Sequence, residues 1–515
     1  MTNFGSTPVR SACAALSGVV AVAAGLAVGE LVAVPISPDA SPYFAVGSTV
    51  VDHSPTSVRE WAISTFGTSD KTALFIGMGV IIVLIAAGCG LAERLRPPVG
   101  SVIIGVFALV GVFAAMGRPG SSVTYMFPSI VAGAVGILVL RVLISLLADR
   151  PDLEPPEKAD GVSRRFVLTA GGVIAAAAVV GTIGRRMLAD TANTLADRAR
   201  LVLPVPAKPA PPIPPGTDLD VDGVTRFVTG NADFYRIDTA LQVPRLTTAD
   251  WSLRIHGMVD KEVRLSWADL LAMPMTERLV TLTCVSNEVG GDLIGNAKWL
   301  GVPMKEVLEL AGVRPGADML LSTSSDGWTC GTPVSAVTDG RDALLAIGMN
   351  GEPLPIEHGY PIRQVIPGLY GYVSATKWVV DWEITKFSEA KAYWSTRGWS
   401  ELGPIKLSSR IDRPANSTEH APGEVVIAGT AWAQHTGIER VEVRIDDGPW
   451  QPAELATEYS VDTWRQWKFA WQATSGEHDV QCRAIDKKGN AQIEDNASPA
   501  PDGSTGLDGR TYTIT

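Results

Sequence analysis

Residues 280–310 read VTLTCVSNEVGGDLIGNAKWLGVPMKEVLEL, and the rest of the chain is organised around them. Apolar and β-branched residues at 278–285 predict a buried β-strand that ends near Cys284. Three glycines between positions 290 and 295 predict a loop, and Pro303 predicts the start of a helix. A cysteine between a strand and a glycine-rich loop can offer a thiolate to a metal, although a small buried hydrophobe is its commoner role.

Two blocks of sequence resemble the molybdopterin-binding domain of the sulfite oxidase family. The blocks are TLTC at 281–284 with IGNAKWLGVP at 294–303, and NGEPLPIEHGYPIRQVIPG at 350–368 with TKW at 376–378. They occur in the family's order, and the similarity extends from about residue 222 to the C-terminus. The resemblance implies a molybdenum–molybdopterin cofactor with one protein thiolate as a metal ligand. Cys284 matches that catalytic ligand.

The resemblance also implies which side chains hold the cofactor. A flat, polar pterin that carries a phosphate needs cations and hydrogen-bond donors from several loops. The matching positions are Asn231, Tyr235, Arg236, Thr323, His358, Arg363 and Lys377. Each has an ordinary structural alternative, such as a core aromatic for Tyr235 or a surface charge for Arg363. Cys330 is either part of the pocket rim or a plain buried thiol.

The N-terminal third contains most of the hydrophobic excess. Five apolar runs lie at 11–34, 72–92, 99–117, 126–148 and 166–184. Each approaches the roughly 20 residues that a membrane-spanning helix needs. Buried core helices are the alternative, but five such runs leave little polar surface to cover them. We therefore expect an all-α transmembrane region of five helices in a lipid membrane.

The distribution of basic residues predicts the orientation of these helices. With the N-terminus inside, the cytoplasmic segments hold seven basic residues before position 166 and the outer loops hold three. Loops on the cytoplasmic side of a membrane usually carry the excess of positive charge. This positive-inside rule predicts that everything after residue 184 lies outside the cytoplasm, in a multi-pass protein of the cell membrane. The sequence SRRFVL at 163–168 resembles a twin-arginine export signal, with a positively charged anchor as the alternative.

Composition shifts divide the chain into five regions. The predicted order is a four-helix transmembrane region at 1–150, a twin-arginine-like signal and fifth transmembrane anchor at 151–188, a proline-rich linker at 189–215, an α+β molybdopterin-binding catalytic domain at 216–402, and an immunoglobulin-like β-sandwich at 403–515. Short strands separated by turn clusters indicate the sandwich. Family members often dimerise through such a domain, so the resemblance implies a possible homodimer.

Charge and residue usage exclude several classes of protein. A net charge of −11 argues against nucleic-acid binding. Five scattered cysteines predict neither a disulfide framework nor a zinc site. The five apolar runs contain no histidine, and paired histidines are common haem ligands, so we predict no haem on this chain. Electrons must then pass to or from a separate electron-transfer protein or carrier.

The residues after Cys284 indicate the substrate. The family transfers oxygen atoms with two electrons, and its sulfite-oxidising members carry arginines just after the metal cysteine. Here residues 285–288 are Val-Ser-Asn-Glu, so we expect a neutral small-molecule or protein oxo-substrate, such as a sulfoxide. Arg236 or Arg397 could restore an anion site. The alternatives are a sulfite oxidase or dehydrogenase, and a non-catalytic cell-surface binding module with a decayed enzyme domain.

Overall fold

The structure, a computed structural model, describes most of the chain. The described residues are 8–55, 58, 61, 65–66, 70–118, 121–147, 164–188, 191–240, 242–415 and 419–515. They form two compact units, Met1–Ala192 and Asn193–Thr515, each of which is built around its own core.

The first unit is helical. Its helices are α1 (Pro8–Ala33), α2 (Pro42–His53), α3 (Asp70–Leu95), α4 (Val99–Met116), α5 (Met126–Leu147) and α6 (Arg164–Leu188), and α7 (Thr191–Arg200) leads into the second unit. Four stretches are long and apolar enough to cross a membrane: Val9–Ala33, Lys71–Leu95, Val99–Met116 and Val123–Leu147. They agree with the first four predicted spans. The stretch in α6, Arg165–Val179, is shorter, and the fifth span stays a prediction.

Small residues let the helices of the first unit approach closely. Helix α1 packs against α3, α5 and α6. Where α1 crosses α3, a side chain on Gly18 would collide with the backbone of Ala86, and one on Gly90 with the backbone of Ala14. Close backbone approach at glycine is a usual way for membrane helices to associate, because lipid gives apolar side chains no separate reason to pack.

The catalytic region of the second unit contains two sheets. Its strands are β1 (Ser252–Gly257), β2 (Val263–Ser266), β3 (Thr276–Thr283), β4 (Ile294–Pro303), β5 (Met319–Ser324), β6 (Thr329–Pro333), β7 (Leu344–Met349), β8 (Glu352–Pro353), β9 (Arg363–Val365) and β10 (Val379–Thr385), with helices α8 (Trp267–Leu271), α9 (Met304–Ala311) and α10 (Val334–Thr338). One sheet has the order β2-β1-β10-β5-β6, and the other has the order β3-β4-β7-β8 with β9 also paired to β7. The predicted α+β character and the helix after Pro303 are present. The strand predicted at 278–285 is β3, which ends at Thr283, so Cys284 and Val285 lie in the loop that follows, and Gly295, predicted in that loop, lies in β4.

The C-terminal region is all β. Its strands are β11 (Ser408–Arg413), β12 (Glu419–His420), β13 (Gly423–Trp432), β14 (Ile438–Ile445), β15 (Gln451–Pro452), β16 (Glu454–Leu455), β17 (Arg465–Ala473), β18 (Gly476–Asp486) and β19 (Asp508–Ile514). The two sheets, β11-β13-β17-β16 and β12-β19-β18-β14-β15, share one apolar core that includes Ile427, Val441, Trp467 and Tyr512. The immunoglobulin-like assignment and the homodimer stay predictions.

The segment predicted as a proline-rich linker is attached to the second unit. The backbone amide of Ala207 donates to Met275, and the amide of Glu277 donates to Lys208, each at 2.8 Å. The hydroxyl of Tyr459 donates to the carbonyl of Pro211 at 2.9 Å. Proline content predicts an extended backbone, which is what allows this segment to pair beside the start of β3.

Candidate functional site

Cys284 follows β3 directly, at the head of the loop that joins β3 to β4. Its backbone amide donates to Leu293 at 2.9 Å, and its carbonyl accepts from the amide of Asn287 at 3.1 Å. Cys284 is buried, with 8% of the residue exposed, and the amide of Ser286 lies 3.4 Å from Sγ. Burial raises the pKa of the Cys284 thiol, while Ser286 and the charge of Lys377 oppose that rise. A thiolate here therefore needs a further positive partner, such as a metal ion.

Arg363 is a buried cation at the start of β9. The residue is only 4% exposed, and its guanidinium lies 5.0 Å from the ring centre of Trp299. Two carbonyls accept from it, that of His358 at 3.2 Å and that of Gln364 at 3.3 Å. Burial lowers the pKa of Arg363 to about 10. Across the part of the chain that the structure describes, no carboxylate forms an ion pair with it, which is unusual for a buried charge.

Lys377 is a second buried cation, opposite Arg363. The two residues form an isolated β-bridge, so their side chains start from neighbouring backbone positions. Lys377 Nζ donates to Asp238 at 3.1 Å and to the carbonyl of Glu357 at 3.0 Å, while Arg236 shares the same carboxylate oxygen at 3.0 Å. Burial, joined by the charge of Arg363, lowers the pKa of Lys377 to about 8, although Asp238 acts in the opposite direction. Lys377 and Arg236 thus share one carboxylate, while Arg363 pairs with none among the described residues, and this excess of positive charge suits an anion.

His358 contributes a free acceptor to the same place. Its Nε2 lies 3.2 Å from the carbonyl of Asn231, and since a carbonyl only accepts, Nε2 must carry the proton. Burial lowers the pKa of His358 to about 3, so the ring is neutral and Nδ1 is an unprotonated acceptor. Nδ1 is buried and has no hydrogen-bond partner among the described residues. The Asn231 amide itself is bonded to Asn350 at 2.8 Å, so Asn231 acts here through its carbonyl.

Tyr235 connects the cations with the cysteine. Its ring stacks on Phe234 at 5.1 Å between centres, and Phe234 in turn meets the His358 ring at 5.6 Å. Burial raises the pKa of Tyr235, Cys284 raises it further, and Arg363 lowers it, so the phenol lies within electrostatic reach of both. The structure therefore brings together Tyr235 and four other predicted residues, Cys284, His358, Arg363 and Lys377, with Asn231 and Arg236 at the edge.

The site can be compared with known proteins. The oxidoreductase molybdopterin-binding domain family matches residues 240–394. Uncharacterized oxidoreductase YuiH of Bacillus subtilis is 35% identical over 153 residues, which cover 30% of this chain and 74% of that protein. Mitochondrial sulfite oxidase of Rattus norvegicus is 29% identical over 317 residues, which cover 52% of this chain and 57% of the rat protein.

The chain belongs to the sulfite oxidase family of molybdopterin oxidoreductases. Among solved structures, the sulfane dehydrogenase SoxCD of Paracoccus pantotrophus aligns with a TM-score of 0.50 and 25% identity, over 57% of this chain and 84% of that chain. The chain thus spans only a little more than half of the rat enzyme's length. Asn231, Tyr235 and Arg236 lie before the matched domain, and the other predicted residues lie within it.

The residues present fit the cofactor of this family. A phosphate-bearing pterin would compensate the excess of buried positive charge at Arg363 and Lys377, and a pterin N–H would satisfy Nδ1 of His358. Cys284 would be the protein thiolate. No group of three or more His, Cys, Asp or Glu side chains suited to a metal ion occurs within the described ranges.

Thr323 is the one predicted residue that the structure does not bring to this site. On β5 it pairs with Thr329 and Asp381, on the face opposite Ser322. Ser322 is fully buried, and its hydroxyl lies 2.9 Å from Gln364 and 2.7 Å from Thr376. Gln364 directly follows Arg363 in sequence, and Thr376 directly precedes Lys377. Ser322, missed by sequence reasoning, is therefore the β5 side chain that supports the site.

Two further positions were undecided or missed from the sequence. Tyr370 is 5% exposed and lies close enough to Cys284 for the two charges to interact, while burial raises its pKa to about 12. No local pattern around Tyr370 distinguishes it from a core aromatic. Cys330 is fully buried beside Thr332, at 3.8 Å, and burial raises its pKa to about 11, which favours the plain buried thiol.

Proposed function

We propose that this protein is a membrane-anchored, extracytoplasmic molybdenum oxidoreductase that transfers an oxygen atom together with two electrons. The observation that carries the proposal is the pair of buried cations, Arg363 and Lys377, which are bridge partners near Cys284; among the described residues a carboxylate, Asp238, pairs with Lys377, and none pairs with Arg363. Like charges on opposite β positions destabilise a sheet unless an anion lies between them. When bound, the molybdopterin cofactor supplies the oxygen-atom and redox chemistry.

The side chains of the site have separate tasks in this proposal. Arg363 and Lys377 bind the anionic part of the cofactor, and the neutral His358 ring accepts a hydrogen bond through Nδ1. The carbonyl of Asn231 holds that ring in its tautomer. Cys284 is held by the backbone bonds at both ends of its loop and presents one thiolate. Cys284, His358, Arg363 and Lys377 are all buried, which keeps water from these groups.

We further propose a neutral oxo-substrate, such as a sulfoxide. The residues after Cys284 carry no cation, the Asn287 amide oxygen is occupied by the amide of Leu293 at 2.8 Å, and Glu288 is exposed. Arg410 reaches this loop and donates to the carbonyl of Gly291 at 2.7 Å. However, Arg410 is paired with Asp412 at 2.7 Å, so its charge is already compensated. A dianion here would lose its hydration without gaining a free cation.

Sulfite oxidation is the second candidate. It is favoured by the relatives, among them rat sulfite oxidase, and by Arg236, which is 40% exposed beside the buried cations. Arg236 could turn toward an anionic substrate by leaving Asp238. Arg397 is a weaker source of charge, since its guanidinium lies 3.5 Å from the ring centre of Tyr393 and donates to the Tyr393 carbonyl at 2.9 Å.

Activity measurements separate the two substrates. The purified full chain is assayed for sulfite oxidation with an artificial electron acceptor and for methionine sulfoxide reduction with an artificial donor. We expect sulfoxide turnover to dominate and to persist in Arg236→Gln. The matched control is Arg254→Gln, because Arg254 is an equally exposed arginine elsewhere in the same unit. Efficient sulfite turnover without sulfoxide reduction, lost in Arg236→Gln but kept in Arg254→Gln, would assign the enzyme to sulfite.

The physiological route of electrons and the membrane placement belong to the same proposal. Four apolar helices support a membrane location, and the basic residues of their loops support a catalytic unit outside the cytoplasm. Electrons would then pass through a separate extracytoplasmic or membrane carrier. A reporter that is active only outside the cell, fused after Gly216, should be active. A silent reporter there, with an active one fused within residues 151–161, would reverse the orientation.

A further inference from the structure

A short segment before the matched domain holds the part of the chain that carries His358 and Arg363. Residues 193–203, here called the strap, include most of helix α7 and the three residues after it. The Asp197 carboxylate accepts from the hydroxyl of Tyr360 at 2.7 Å and from the backbone amide of Thr248 at 2.7 Å. The hydroxyl of Thr248 adds a third bond at 3.0 Å. Asp197 thus ties Tyr360 to a neighbouring turn.

Arg198 holds the same segment further upstream. Its Nε donates to the carbonyl of Leu354 at 2.8 Å, and its Nη2 donates to the carbonyl of Pro353 at 2.8 Å. Both carbonyls lie just before the short 3₁₀ helix Ile356–His358. The ion pair of Arg198 with Glu352 is longer, 3.3 Å, and exposed, so it contributes little. The strap therefore binds this segment on both sides of His358.

Apolar contacts of the strap reach the support of the site as well. Leu201 packs against the cluster that contains Phe234, Trp299 and Tyr360. Trp299 lies beneath the Arg363 guanidinium, and Phe234 meets the His358 ring at 5.6 Å. Any movement of the strap would thus loosen the groups against which both side chains rest.

We propose that Asp197 is a positioning residue that acts through Tyr360 to hold His358 and Arg363 in place, and that it thereby slows release of the cofactor. The inference rests on the proposed function. Tyr360 is fully buried and stands two positions after His358 and three before Arg363. A phenol that donates to a carboxylate forms a stronger bond than one between neutral groups, so this single contact fixes the turn between the two cofactor-holding residues.

The test measures how fast molybdenum and pterin leave the full chain in detergent, at a temperature well below unfolding. Asp197→Ala removes the bond to Tyr360 and the two to Thr248, so it should release both at least about tenfold faster, since one charge-assisted hydrogen bond alone is worth about that factor. Tyr360→Phe should do the same from the other side. The double variant should release the cofactor no faster than the faster single variant, because the two substitutions remove the same contact between Tyr360 and Asp197. Asp197→Asn should fall between, since an amide oxygen can still accept from Tyr360.

The control is Asp250→Asn, whose carboxylate, among the described residues, accepts only from the hydroxyl of Thr247 in its own turn. It should release the cofactor at the wild-type rate. If Asp197→Ala fails to fold, Tyr360→Phe and Asp197→Asn carry the test. Wild-type release in these variants, or additive effects in the double variant, would overturn the positioning role while the proposed function stands. A wild-type chain purified without molybdenum or pterin would instead overturn the proposed function.

Discussion

Replacing Arg363 by methionine should make the cofactor-free protein more stable and, at the same time, weaken cofactor binding. Arg363 is 4% exposed and, within the described chain, has carbonyl partners but no ion-paired carboxylate. A methionine of similar length keeps the contact with Trp299 and removes a charge that is costly to bury. Opposite effects on stability and on binding distinguish a residue retained for a ligand from one retained for the fold.

The magnitude follows from the pKa. Burial lowers the pKa of Arg363 to about 10, which corresponds to roughly 3 kcal/mol against the charged form. The substitution also leaves the carbonyls of His358 and Gln364 without this donor, at about 1 kcal/mol each. The net gain is about 1 kcal/mol, a rise of about 2 °C in the melting temperature for a unit of this size. Loss of a charge-assisted contact should weaken cofactor binding about ten- to a hundredfold.

The assay compares two preparations of each variant. Protein from a host that cannot make the pterin gives the melting temperature of the cofactor-free state, and protein from a competent host gives the molybdenum content. Arg254→Met is the control, because Arg254 is 40% exposed and paired with Glu262 on the surface. It should change neither quantity. A lower melting temperature for cofactor-free Arg363→Met, together with a wild-type molybdenum content, would refute the reasoning.

Three further predictions concern the charge, the thiolate and the export signal. The pKa of Lys377 is about 8 when folded and 10.5 otherwise, so the unfolded chain binds more protons between these values. Relative to Lys377→Met, the cofactor-free wild type should therefore gain stability as pH rises from 8 to 10, measured by urea unfolding. Cys284→Ser should keep the fold and the pterin but lose turnover, and full turnover would remove Cys284 as the metal ligand. Replacing Arg164 and Arg165 together by lysine should block export, because it keeps the charge but removes the twin arginines. Normal export of that variant would leave a positively charged anchor as the role of this segment.

Local patterns in the sequence predicted the elements around Cys284 because those elements are formed by neighbouring residues. A β-branched run, a glycine loop and a proline-led helix each follow from spacing, and β3 and α9 lie where the pattern placed them. The contacts of Ser322 were beyond reach of such patterns, and the role of Thr323 stays a prediction. Because side chains alternate along a strand, neighbouring positions such as Ser322 and Thr323 lie on opposite faces of the sheet.

Contacts between distant residues were beyond such patterns. The bridge between Arg363 and Lys377 depends on the pairing of β9, and nothing in either block states that the two cations face each other. The bond from Tyr360 to Asp197 joins residues 163 positions apart. Proline content predicted a linker before the catalytic region, but a linker has no preferred partner until the folded surface exists.

The cost of the two buried cations connects cofactor loading with folding. Each pKa lies well below its ordinary value, so each charge opposes the folded state of the cofactor-free protein by roughly 3 kcal/mol. An anion bound between them removes that cost, and a ligand that binds only the folded state stabilises it in proportion to its affinity. Loading thus favours the folded state of the unit that carries the site. Under the predicted topology, that dependence suits the twin-arginine-like sequence at 163–168, because twin-arginine transport carries folded proteins.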